Sequence, residues 1–288
     1  MDDILPGHKI KGLWSGSTYT VIRPLGRGGV GAAYLVSGSG GLRCLKISGD
    51  MMSITWEYRF IKDNRKKFLP EAYEIDDFVL NNDIKHYIIL EYIEGENLTE
   101  AIRARPADVS TAAGIALLTA EIFMEFFETG YIYTDLKPEN IMLDVKRGGL
   151  RLIDMGSLVK TGGMVREYTP MYDRAYWDCG LRRADEGYAS FEIMMLAVNL
   201  LFPIDYDMMR RQDITAVLKG LSGCRAPALC SLAARGLSGR AGLCEIRDGL
   251  LGICGSRDRA GRDKTDLCIN VSLAAGIIFL TGVIIYVF

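Results

Sequence analysis

An excess of charge of either sign is missing from this sequence: 34 lysines and arginines face 36 aspartates and glutamates, a formal net charge of −2. A balance so close to neutral gives no reason to expect nucleic acid as a partner. Histidine is scarce, with two in the chain, and the seven cysteines include no CxxC pair. An odd count without paired spacing or a histidine cluster argues against a disulfide framework and a zinc site. The cysteines read as buried or free thiols of a reducing compartment. Residues 1–17 lack the apolar core of a signal peptide, so none is expected. A length of 288 residues allows one large domain or two small ones.

What is present centres on residues 131–156, YIYTDLKPENIMLDVKRGGLRLIDMG. Asp135, Lys137 and Asn140 fall within one short loop. An apolar run then passes through Gly148-Gly149 to a second acid, Asp154. The alternation in IMLD and LRLID predicts two short strands joined by a hairpin, with polar residues at its ends converging on one site. A carboxylate to orient a hydroxyl, a lysine beside it, and an Asn and an Asp to hold Mg²⁺ form the working half of a phosphoryl-transfer site.

On these residues the sequence resembles the protein kinases, in particular the bacterial eukaryotic-like (Hanks-type) serine/threonine kinases. DLKPEN is nearly the family's whole catalytic-loop signature, and DMG stands where DFG is usual. The resemblance implies an α+β, two-lobed fold: an N-terminal extension over 1–18, a β-rich N-lobe over about 19–93 and a helical C-lobe over about 94–262. It implies ATP and Mg²⁺ as cofactors and protein Ser/Thr hydroxyls as acceptors. Asp135 and Lys137 would be catalytic, and Asn140 and Asp154 would bind the metal. Lys137, two residues after the acid, favours Ser/Thr over Tyr and argues against small-molecule kinases of the same fold.

The segment from Tyr19, YTVIRPLGRGGVGAAYLVSGSGGLRCLKIS, reads as three strands joined by turns, with Gly26, Gly28 and Gly31 forming GxGxxG. A dinucleotide fold would open a helix after these glycines, whereas AAYLV continues as a strand. The resemblance therefore lays their backbone over ATP phosphates. Lys46, fifteen residues after Gly31, takes the position of the lysine that grips the α- and β-phosphates. Residues 51–68 read as an amphipathic helix with Ile54, Trp56, Phe60 and Ile61 on its apolar face. Glu57 on that helix is the candidate partner of Lys46, and Glu71 is the alternative. In the hinge that would follow, Glu91, Tyr92 and Ile93 offer backbone groups to adenine. Residues 110–129 read as a broad-faced, buried helix.

Beyond Gly156 the resemblance thins. Residues 160–167 read as a mobile activation segment. Ala175-Tyr176-Trp177 stands where A-P-E is usual, and Tyr133-Thr134 replaces the His-Arg before Asp135. ADEGYASFEIMMLAVNLLF predicts a long buried helix, with Asp185 or Glu186 as its usual acid; Arg240 sits where the partner of the missing A-P-E glutamate belongs. Residues 267–288 carry no charge, and as a helix these 22 residues would span about 33 Å. With Arg257, Arg259, Arg262 and Lys264 before them, they predict a transmembrane anchor with the kinase domain cytoplasmic at the cell membrane. Two functions stand: a membrane-anchored Ser/Thr protein kinase, which leaves a homodimer open, and a divergent pseudokinase serving as a nucleotide-binding scaffold.

Overall fold

Alternating apolar positions in the first ninety residues build a six-stranded antiparallel sheet. The strands are β1 (Lys9–Lys11), β2 (Thr18–Arg27), β3 (Gly31–Gly38), β4 (Gly41–Ser48), β5 (Ala72–Leu80) and β6 (Asp83–Glu91), in the order β1-β2-β3-β4-β6-β5. A computed structural model describes residues 4–28, 31–104, 107–223 and 226–258 of the chain. The chain divides into two units: residues 1–94 with 151–156, and residues 95–150 with 157–288.

In the first unit, Val21, Tyr34, Val36, Leu45, Ile47, Phe78, Tyr87 and Ile89 share one buried cluster, as period-two alternation requires. α1 (Met51–Asn64) packs against β4, β5 and β6. Asp50 caps its start by accepting the N–H groups of Met52 and Ser53. The helix ends four residues before the predicted limit, because Arg65 turns left-handed (φ 41°) as the chain heads for Pro70.

The expected extension over 1–18 contributes β1 to this sheet, and its described part, from residue 4, packs on it. Ile10 of β1 is fully buried, and Ile4 joins the same cluster. Two acids on β5 hold the segment. Glu74 accepts hydroxyl hydrogen bonds from Ser15, Ser17, Tyr19 and Tyr87 at 2.7–3.1 Å. Asp76 accepts the N–H groups of Ser15 (2.8 Å), Trp14 (3.1 Å) and Asp77 (2.6 Å). Residues 151–156, expected in the C-lobe, belong to this unit too. Leu152 N–H donates to Phe68 O, and Arg151 donates to Leu69 O and to the Glu91 carboxylate.

The second unit is mainly helical. β7 (Gly95–Asn97) leads into α2 (Leu98–Ala104) and α3 (Val109–Glu128). Then come β8 (Tyr131–Tyr133), β9 (Ile141–Asp144), β10 (Leu150–Leu152, which carries the chain back to the first unit) and β11 (Leu158–Lys160). α4 (Glu186–Leu201), α5 (Tyr206–Arg211), α6 (Ile214–Ser222), α7 (Pro227–Leu237) and α8 (Leu243–Asp258) complete it. Twelve of the 16 residues of α4 are buried, which makes it the centre against which α3, α7 and α8 pack. α3 is apolar and long enough to cross a membrane, but the predicted packing role fits it better: its buried side chains face α4 and α8. The expected anchor over 267–288 lies outside the described residues.

Burial raises the pKa of Asp76, but hydrogen bonds from Ser15, Asp77 and Trp14 outweigh it and leave the carboxyl below its ordinary value of 3.8. A depressed folded pKa contributes stability above the unfolded value, and that stability is lost as pH falls through the folded one. Thermal unfolding should therefore show the first unit weakening below about pH 4. Asp76→Asn should lose about 1–3 kcal/mol at pH 7 and flatten that acid dependence. An unchanged melting curve in the variant would remove Asp76 from the account.

Candidate active site

The first unit gathers three charged groups from three elements. Lys46 on β4 is aimed by the strand register toward α1, where Glu57 faces inward with 2% of its side chain exposed. The Lys46 ammonium donates to both Glu57 oxygens (2.9 and 2.8 Å) and to Asp154 Oδ1 (2.8 Å). Glu57 also accepts the Met155 N–H at 3.2 Å, so the acid that orients the lysine also holds the chain beside Asp154. Burial works against the Lys46 charge, but Glu57 and Asp154 outweigh it and hold its pKa above the ordinary lysine value. Glu71, the other candidate, makes no such contact with Lys46; its main chain instead pairs with Glu91.

The glycines divide in two. A side chain on Gly31 would strike Ile47 O at 2.1 Å, so glycine there permits close approach of β3 to β4. Gly26 and Gly28 would meet nothing within 4 Å, so the loop backbone faces open space that a phosphate could fill. Val30 at the loop tip lies outside the described residues. At the end of β6, Glu91 uses its N–H on Glu71 O (2.8 Å) and its carboxylate on Arg151 (2.7 Å). Its main-chain N–H is therefore taken, and Ile93 follows with its side chain buried.

The second unit holds the other expected residues in the loop after β8. Lys137 Nζ donates to Asp135 Oδ2 at 2.5 Å. Asn140 ends a single 3₁₀ turn begun by Pro138, and its amide donates to the Tyr133 hydroxyl (3.1 Å) and Asp135 O (3.2 Å). Both donations turn the amide nitrogen inward and leave the Asn140 carbonyl oxygen as the group for a cation. Carboxylate and amide oxygens are the hard donors that Mg²⁺ takes, so Asp154 in the first unit and Asn140 in the second are each of the right donor type. The turn after β9 closes through Asp144 N–H to Gly149 O, with Gly148 and Gly149 at φ 69° and 110°.

The departures seen in the sequence have local replacements. Tyr133 packs its ring on Phe126 and Phe123 of α3 while bonding Asn140. Thr134, fully buried, donates to Ser157 O at 2.7 Å and so ties the loop to the start of the segment beyond. Residues 160–167, expected to be mobile, are pinned by backbone pairing with residues 182–184. The A-P-E position is served by Asp173, which is fully buried. It accepts from the Tyr188 hydroxyl, Arg182 Nε and the N–H groups of Ala175 and Tyr176. Asp185 caps α4 and pairs with Arg174, Glu186 accepts the Leu243 N–H, and Arg240 is exposed.

Sequence reasoning left Thr169 out of the site, yet its hydroxyl donates to Asp135 Oδ1 at 2.6 Å. The Thr-Pro pair was a usable signal, but only the folded segment brings it to an acid 34 residues earlier. Glu192 was missed as well; it accepts the Leu136 N–H at 3.0 Å. A lone acid within the apolar run of α4 was its only trace.

Similarity to known proteins agrees with this geometry. The family model for the protein kinase domain matches residues 19–177. The chain is 35% identical over 201 residues to the serine/threonine-protein kinase YabT of Bacillus subtilis, covering 67% of this chain and 59% of that one. Against the serine/threonine-protein kinase PknG of Mycolicibacterium smegmatis it is 31% identical over 166 residues, 54% of this chain and 21% of the relative. The solved structure of vaccinia related kinase 3 superposes with a TM-score of 0.63 at 11% identity, over 89% of this chain and 93% of that one. That last likeness concerns the fold alone, a β-rich lobe and a helical lobe. A family model over more than half the chain settles the rest: this chain belongs to the protein kinase family, as a Hanks-type member with bacterial serine/threonine kinases among its relatives.

Proposed function

We propose that the chain transfers the γ-phosphoryl group of ATP, with Mg²⁺, to serine or threonine hydroxyls of proteins at the cytoplasmic face of a membrane. The observation that carries this reading is Lys46 bound at once to Glu57 and Asp154. A buried acid that fixes a lysine, which in turn meets a more exposed acid, is costly unless the groups receive a charged ligand together.

In this reading Lys46 holds the α- and β-phosphates, and the backbone from Gly26 to Gly31 covers them. Asn140 and Asp154 would each offer an oxygen to Mg²⁺, which would supply positive charge against the phosphates. Asp135 accepts the hydrogen of the acceptor hydroxyl as that oxygen bonds to phosphorus and the β–γ bridge bond breaks to leave ADP. Lys137, already on Asp135, offsets charge on the transferred group. Thr169 fixes the second oxygen of Asp135, so the acid has one orientation. Most of the catalysis is positioning and electrostatics. A nucleotide-binding scaffold without transfer is the second reading, favoured by the missing A-P-E run; the Asp173 hub argues against it by anchoring that region locally.

Incubation with labelled ATP and Mg²⁺, with phosphoamino-acid analysis, tests the proposal. Wild type should label Ser or Thr, and Asp154→Ala should abolish labelling by removing a metal ligand. Equal labelling in a folded Asp154→Ala protein would sink the assignment. Lys46→Met and Glu57→Ala should each reduce transfer strongly, and the double variant should be scarcely worse than either; additive losses would mean that the two do not act as a unit.

Thr169→Ala should lower kcat by about tenfold or more, because Asp135 loses the donor that orients it. Thr161→Ala, on the exposed turn, should leave kcat unchanged. Equal effects of the two would make Thr169 an ordinary segment residue.

The membrane location rests on the charge-free run 267–288 and the basic residues before it. The full chain should require detergent for extraction, whereas a chain ending at about residue 262 should be soluble and still bind ATP. Full-length protein found in the soluble fraction would rule the anchor out.

A further inference from the structure

Glu192 lies in the middle of α4, 1% exposed, on a helix whose neighbouring side chains Phe191, Ile193, Met194 and Met195 are apolar and buried. Its Oε1 accepts the main-chain N–H of Leu136 at 3.0 Å, the peptide directly after Asp135. Its Oε2 is closed off from solvent and has no hydrogen-bond partner among the described residues. An ionised carboxylate in that place would keep one oxygen with neither donor nor water, which a buried charge tolerates badly.

The charged and titratable groups around it offer no rescue. Asp135 faces it from the loop after β8, Asp173 from the segment before α4, and Tyr188 from one turn earlier on α4 itself. The nearby cations are engaged elsewhere, Arg182 by Asp173 and Lys137 by Asp135. Burial first, then Asp135 and Asp173, push the Glu192 carboxyl well above the usual range, with only the Leu136 N–H pulling it back.

We propose that Glu192 is a positioning residue that acts as an uncharged carboxylic acid: its carbonyl oxygen fixes the Leu136 peptide, and so Asp135, without adding a second negative charge beside that acid. This rests on the reading of Asp135 as the carboxylate that takes the acceptor hydroxyl. The chemistry explains the choice of side chain. An aliphatic residue would leave the Leu136 N–H buried without an acceptor. A charged acid would disfavour the ionised form of Asp135 that phosphoryl transfer needs.

The test uses the full chain with Glu192→Gln and Glu192→Leu. Glutamine keeps the carbonyl acceptor and the shape of a neutral acid; leucine keeps neither donor nor acceptor. Transfer to a protein substrate is followed from about pH 5.5 to 9, with KM for ATP measured alongside. Glutamine should keep kcat within about threefold of wild type, with the acidic limb of the profile in place. Leucine should lower kcat by about 10- to 100-fold with little change in KM.

Glutamine failing as badly as leucine would overturn the proposal, as would leucine retaining full kcat. An acidic limb moved by about one unit in the glutamine variant would show that wild-type Glu192 is charged. Should the leucine variant not fold, the glutamine profile still decides. A readout independent of activity separates this proposal from the reading of Asp135. The infrared difference spectrum of wild type minus Glu192→Gln should show the C=O band of a protonated carboxyl at neutral pH, and its absence would overturn the proposal. If the band is present but Asp135→Asn retains full transfer, the role of Asp135 fails while the neutral state of Glu192 stands.

Discussion

One ammonium group binds three distant stretches of the first unit. Lys46 reaches Glu57, eleven residues on, and Asp154, 108 residues on, each at 2.8–2.9 Å. Its position follows from the antiparallel register of β4 with β3 and β6, and that of Glu57 from the face α1 turns to the sheet. The Met155 N–H on Glu57 closes the arrangement. Two acids sharing one cation, one of them buried, repel each other as well as attract it. Such a set is a poor way to stabilise a fold and a good way to prepare a site for a charged ligand.

The helical unit solves its own problem by different means. Asp135 must keep its carboxylate in a fixed direction, so its neighbours hold it from several sides. Lys137 and Thr169 take the carboxylate, Asn140 bonds the Asp135 carbonyl, and Glu192 takes the next peptide N–H. Where kinases commonly place His-Arg and A-P-E, this chain uses Tyr133, Thr134 and Asp173. These contacts are aromatic packing, a hydroxyl bonded to main-chain carbonyl, and a buried acid bonded by four donors. Contacts of this kind, the Asp173–Arg182 ion pair included, need no phosphate to complete them, so the order of residues 157–185 is built into the fold.

How much of this was legible depended on distance along the chain. The run from Asp135 to Asn140 carries its own loop, and the resemblance to the protein kinases named Glu57 as the candidate partner of Lys46, with Glu71 as the alternative. The strands from Thr18 to Ser48 alternate strongly enough to be read directly. The role of residues 4–18 was not legible. β1 has three residues paired with β2, and residues 14–17 after it are held by Glu74 and Asp76, about sixty residues away. The pinning of residues 160–167 was hidden in the same way, since residues 182–184, which they pair with, form no strand of their own and lie about twenty residues further on.

The sequence by itself determined the elements and the chemical inventory: which stretches alternate, which are helical, and which acids, lysines and glycines stand at motif spacing. Those are local properties, written in periods of two and 3.6 residues. Only the tertiary structure decided which groups meet across long separations. It set Thr169 on Asp135 and Glu192 on Leu136, and it gave residues 9–11 to the sheet and 151–156 to the first unit. The physical reason is that a buried polar group must find its partner wherever packing brings one, and that choice is made by the whole fold rather than by neighbours in sequence.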